Sequence, residues 1–121
     1  MNQGRKISSG KYHANRKSRL YEKAGQDRHV MLGEVRRKIL RARGGNNKPI
    51  LSRANIANVS DGKKIQPATI TNVLETPSNK FLARQNRLMK GAIIETSLGK
   101  ARVSNRPSQE GQINAILIEK K

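Results

Sequence analysis

Arginine and lysine supply most of the usable chemistry in this 121-residue chain, and they come in clusters. Arg36, Arg37 and Lys38 form one run, and Arg41, Arg43 and Lys48 enclose Gly44, Gly45, Asn46 and Asn47, with Arg53 just beyond. A guanidinium is a planar fork that pairs with phosphate oxygens or stacks on an exposed base. Glycine beside it lets the backbone come close and turn its N–H groups toward an anion. Arginine and glycine at this spacing can therefore grip a sugar-phosphate strand, whereas a plain surface loop would need the glycines only to turn. Further candidates lie upstream: the basic Arg5, Lys6 and Lys11 around Ser9 and Gly10 in one stretch, then Arg16, Lys17 and Arg19. Downstream, Lys80, Arg84 and Arg87 fall at i, i+4 and i+7 of an expected helix, and Arg106 precedes Pro107. All of these are expected contacts to RNA.

Other chemistries find little support. The eight acids are dispersed, and Asp61 is better explained as a turn residue. Cysteine is absent, which removes disulfides, thiolate metal sites and thiol nucleophiles. His13 and His29 are the only histidines, and neither has a second ligand at metal spacing. There is no phosphate-cradling GxxxxGK[ST] sequence and no nucleophile elbow. The expectation is a non-enzyme with no metal, no cofactor and no small-molecule substrate.

Charge points the same way. The formal net charge is +18, and the first 53 residues hold 15 Lys and Arg against three acids. Such density repels itself unless a polyanion neutralises it, and it exceeds what solubility needs. With only two tyrosines and one phenylalanine, no paired stacking platform for single strands is available. Structured RNA gripped through its backbone fits better; DNA is not excluded by charge, but no helix-turn-helix, zinc finger or basic zipper occurs. Residues 1–21 are rich in Arg, Lys and Ser, as transit peptides are, yet Ile7, Tyr12 and Leu20 make no continuous helical face. The longest apolar stretches run to four residues, so no membrane span or secretory signal is expected.

These residues must be positioned by few elements. Residues 1–30 have low hydrophobicity and high charge, and are expected to form a basic, extended arm, disordered without RNA. Residues 31–121 are expected to form a β-barrel-like RNA-binding domain. Val35–Arg43 reads as a strand-like run in which Ile39 and Leu40 are surrounded by five basic side chains, as in a segment buried on one face and pressed against phosphates on the other, ended by Gly44 to Asn47. Ile50–Val59 and Lys63–Leu74 flank Asp61-Gly62, a hairpin signal, with Ala68, Ile70 and Leu74 on one face. Pro67 places that strand at an edge or a bulge. Thr76-Pro77 predicts the start of a short helix running to about Leu88. Ala92–Ser97 and Lys100–Ser104 predict a second hairpin with Ile94 in the core; Arg106–Gly111 reads as a loop and Gln112–Ile118 as a closing strand. Short strands with turn signals and one short helix predict a mainly β chain folded as a small closed or partly open barrel.

Several of these stretches resemble one family. Arg41-Ala42-Arg43-Gly44-Gly45-Asn46-Asn47-Lys48 and Leu51-Ser52-Arg53-Ala54-Asn55-Ile56-Ala57-Asn58-Val59 resemble the most recognisable stretch of the archaeal and eukaryotic "eight-e" family of small-subunit ribosomal proteins. Lys90 to Thr96, Leu98 to Val103, Ser104 to Pro107 and Asn114 to Ile118 are similar to that family's C-terminal half. Ser9-Gly10, Arg16 to Arg19 and Tyr21-Glu22 resemble its opening motif, although Lys11 stands where a second glycine is common. The resemblance covers nearly the whole chain and looks like the short archaeal form. It implies a cytoplasmic constituent of the small ribosomal subunit, with small-subunit rRNA and neighbouring ribosomal proteins as partners. A regulatory or chromosomal nucleic-acid-binding module is the alternative, and an acidic protein partner a further one.

Overall fold

The computed structural model describes residues 4–13, 15–23, 25 and 27–120. Among them the elements run β1 (Val30–Leu32), β2 (Arg36–Arg41), β3 (Asn47–Ala54), β4 (Ile56–Ser60), β5 (Ile65–Glu75), α1 (Lys80–Arg84), β6 (Arg87–Leu88), β7 (Ile93–Thr96), β8 (Gly99–Val103), α2 (Pro107–Glu110) and β9 (Asn114–Lys120). The chain is mainly β, as expected, with a closed barrel of β4-β5-β7-β8-β9. Parallel pairing of β4 with β9 closes it. Beside it lies a four-stranded sheet in the order β2-β3-β1-β6, which the sequence pattern did not separate from the barrel.

A five-stranded barrel is narrow, and its interior must be filled by small side chains. Ala57, Ala68, Ala92, Ala101 and Ala115 serve here, interleaved with Val59, Ile70, Ile94, Val103 and Ile113. Val30, Leu51, Ala54 and Leu88 of the four-stranded sheet join the same cluster, so one core holds both sheets. The expected run from residue 50 to 59 is two strands, because the chain leaves the four-stranded sheet and enters the barrel at Asn55.

Several local expectations need correction. Ile39 is 73% exposed and Leu40 only half-buried, so β2 lacks the fully buried face expected of it. On β5, Ala68 and Ile70 are buried as expected, but Leu74 is 43% exposed and Val73 takes the inward place. Register shifts between Ile70 and Asn72, and between Val73 and Glu75, interrupt the alternation. Each extra residue flips every later side chain to the other face. Pro67 pairs with Asn58 in a stretch where β5 has β4 as its only ladder partner, an edge position that tolerates its missing donor.

The helix after β5 starts later and ends sooner than Thr76-Pro77 predicts. Asn79 is the cap, its side chain accepting the Phe81 N–H at 2.9 Å, while Thr76 is fully buried. Asn86 at φ +52° ends the turn, so Arg87 lies on β6 rather than on the helix. A second short helix, α2, stands where a loop was expected: Pro107 opens it and Gly111, at φ +70°, closes it.

Candidate nucleic-acid interface

The basic cluster of highest density lies on one hairpin. β2 and β3 pair antiparallel from Arg36 opposite Arg53 to Arg41 opposite Asn47, with a slip between Arg36 and Arg37. Arg36, Arg37, Lys38, Arg41, Arg43, Lys48 and Arg53 are all exposed. No acid occurs anywhere from Val35 to Ser60. Like charges directly opposite one another, as at Arg36 and Arg53, weaken a ladder unless an anion lies between them.

The tip of the hairpin is Arg43–Gly45, wound as a single 3₁₀ turn and closed by Ala42 N–H donating to the Asn46 carbonyl at 2.6 Å. Gly44 and Gly45 have φ of +76° and +81°. A Cβ at Gly45 would meet nothing within 4 Å, and at Gly44 only the Asn46 side chain at 4.0 Å. Glycine is thus needed here for backbone angle, and the outer side of the turn is open to a large partner. Asn46 and Asn47 flank it, both exposed.

Two other segments are tied to this hairpin. The Arg43 guanidinium donates to the Tyr21 carbonyl at 3.3 Å. Tyr21 belongs to a 3₁₀ turn, Leu20–Glu22, in which Glu22 accepts two bonds from Arg16 and one from Arg19 N–H. Arg16 therefore holds the Glu22 carboxyl below its ordinary range, and Glu22 raises the Arg16 guanidinium. Arg16, Lys17 and Arg19 are thereby brought beside the tip. On the other side α2 packs against β3: Lys48 donates to Gln109, and Arg106 caps the helix while remaining exposed.

The remaining expected residues are elsewhere. Arg5, Lys6, Ser9, Gly10 and Lys11 make a small turn of their own, with Arg5 bridged to Lys11 and Lys6 lying 5.6 Å from the Tyr12 ring centroid. Lys80 and Arg84 sit on α1, and Arg87 on β6 donates to Gln85 at 3.4 Å. In the sheet order β6 is the edge opposite β2, so these three do not join the hairpin. Arg28 was missed by the sequence reading: it lines a cleft with Lys38, Leu40 and Ile50. No pattern in its chain neighbours signals that.

Among the described residues no cluster of His, Asp or Glu could hold a metal, and no helix is long and apolar enough to cross a membrane. The surface is suited to holding phosphates by many exposed cations.

A model of the family described as Ribosomal protein S8e matches residues 1–118. Small ribosomal subunit protein eS8 of Haloarcula marismortui is 42% identical over 115 residues, covering 95% of this chain and 94% of the relative. The protein of the same name in Methanocorpusculum labreanum is 44% identical over 117 residues, with the same coverage. That of Halorubrum lacusprofundi is 43% identical over 116 residues, again at 95% and 94%.

Proposed function

The chain belongs to the Ribosomal protein S8e family, and from that premise we propose that the β2–β3 hairpin is its principal grip on small-subunit rRNA. It is a structural constituent of the small ribosomal subunit, in the cytoplasmic ribosome, and not an enzyme. rRNA and other ribosomal proteins are its partners.

The observation that carries the hairpin assignment is its charge. Seven exposed cations stand between Arg36 and Arg53 without a single acid, two of them directly opposed, around a glycine tip open on its outer side. Arg41, Arg43, Gly44 and Gly45 take the phosphates at the tip, Asn46 and Asn47 hydrogen-bond sugars or base edges, and Arg36, Arg37, Lys38, Lys48 and Arg53 continue the track. Arg16, Lys17, Arg19 and Arg106 extend it from either side. Arg5, Lys6, Ser9, Gly10 and Lys11 act as a separate handhold in the N-terminal extension. None of the described residues from 4 to 28 is buried, including Ile7 and Leu20, which supports an extension that takes its final order on RNA. Part of the extension proposed for residues 1–30 (1–3, 14, 24 and 26) lies outside the described residues.

Sucrose-gradient fractionation of cells expressing tagged chain tests the reading. Co-sedimentation with small subunits is expected for the wild type, with marked loss for an Arg41→Ala, Arg43→Ala chain. Undiminished incorporation of that variant would remove the tip from the interface.

A further inference from the structure

The cleft beneath α1 has the features of a site that the hairpin does not explain. It is an open cavity of about 520 Å³ between the end of β5 and α1, a volume in the range of small-molecule sites. Lys80 and Arg84 line it from the helix, and Asn72, Thr76 and Asn86 from the strand and the turns. The Thr76 side-chain hydroxyl is buried and has no hydrogen-bond partner, which a native site leaves open only at a cost. Asn72 has spent its carbonyl oxygen on Val73 N–H, leaving its amide donors. Leu74 adds an apolar wall. Phe81 is not part of the lining but follows Lys80 on α1; it is 67% exposed, and the guanidinium of Arg84, which does line the cleft, lies 5.7 Å from its ring centroid. An exposed phenylalanine under an arginine is poor packing but a good platform for a base.

The topology sets where this cleft stands. α1 runs into β6, the edge of the four-stranded sheet opposite the hairpin strand β2. Three strand spacings separate those edges, roughly 14 Å. Cations at both edges of one rigid sheet can hold two separate stretches of RNA at a fixed distance.

We infer that the α1 cleft is a second RNA-binding site, receiving an unpaired nucleotide, so that the chain bridges two segments of rRNA. The inference rests on the rRNA reading above. Lys80 and Arg84 hold the phosphate, Phe81 stacks on the base, and the amide of Asn72 or Asn86 meets its polar edge. With one phenylalanine and two tyrosines the chain has no paired stacking platform for a continuous single strand. One ring is enough for one extruded base.

Hydroxyl-radical footprinting of small-subunit rRNA with the full chain separates the two sites. Two distinct protected stretches are expected. Lys80→Ala with Arg84→Ala should erase one and leave the other; Arg41→Ala with Arg43→Ala should do the reverse. An unchanged footprint for the α1 variant, or loss of both stretches together, overturns the second site while leaving the hairpin reading intact. No protection by the wild-type chain overturns the rRNA reading and this site with it. The nucleotide itself is tested with a short RNA duplex carrying a single unpaired adenosine. It should bind about tenfold tighter than the uninterrupted duplex, and Phe81→Ala, at an exposed position that folding does not use, should abolish the difference. Equal affinity of the wild type for both duplexes overturns the nucleotide assignment.

Discussion

Arg41 and Arg43 are exposed, whereas Ile94 is fully buried in the barrel. That contrast separates binding from stability. Arg41→Ala with Arg43→Ala should weaken rRNA binding with the melting temperature nearly unchanged; if the variant melts early and binds normally per folded molecule, the two arginines are structural. Ile94→Ala should instead cost about 2–5 kcal/mol in a denaturant titration, because a narrow barrel cannot collapse around the lost methyl groups. Gly44 and Gly45 fall between these cases. A valine at either meets no backbone clash but must adopt positive φ, at a cost of about 1–3 kcal/mol, and also presents bulk to the partner. The arginines and the two glycines could be picked out by residue type alone. Arg28 could not, since nothing in its neighbours on the chain announces the cleft it shares with Lys38.

The hairpin and the turn docked on it each make a prediction of their own. Arg36 and Arg53 repel across the ladder in the free protein, so Arg53→Thr should raise the melting temperature at low salt while weakening rRNA binding. The cross-strand relief is on the order of 0.2–1 kcal/mol. A fall in both would mean that Arg53 supports the fold. In the 3₁₀ turn, Arg16 and the Arg19 N–H hold the Glu22 carboxyl low. A depressed carboxyl stabilises only while ionised: its contribution is complete above the ordinary glutamate range, near 4.3, and is lost as pH falls through the lowered folded value. The protection of the Arg19 and Glu22 amides, taken as exchange relative to the intrinsic rate at each pH, should therefore hold at neutral pH and fall in acid below that range, with the hairpin amides keeping theirs. Protection that is constant across the titration would show that the Glu22 pairing does not hold the turn. Element boundaries were the least legible level. Thr76-Pro77 and Asn79 both offer a helix start, and only burial of Thr76 in the core gives the cap to Asn79.

At the scale of the molecule, charge decides the thermodynamics of assembly. If the seven cations of the hairpin each neutralise one phosphate, log affinity for rRNA should fall with log salt at a slope of roughly −5 to −6. Between 50 and 200 mM salt that is a loss of roughly 10³ in affinity. Filter binding over a salt series measures it, and a nearly flat isotherm contradicts an electrostatic grip. The Arg41→Ala, Arg43→Ala chain should show a slope shallower by about 2, the two phosphates it has lost.

The sequence by itself determined the partner class, the mainly β character and the place of the glycine tip. Net charge, β-branched runs, and a Gly-Gly pair between arginines are properties of the chain that no packing can reverse. The second hairpin and the inward place of Ile94 were legible too, because a regular two-residue alternation survives wherever no bulge interrupts it. Only the tertiary structure decided the rest. The bulges in β5 exchange Val73 for Leu74 in the core, and they lie where β7 replaces β4 as the partner strand. The break at Asn55 turns one apolar run into strands of two sheets, since closing a five-stranded barrel requires β4 to leave β3 and pair with β9. The chain also returns through β6 to the far edge of the other sheet, which puts the basic residues of the hairpin and those around α1 at opposite edges.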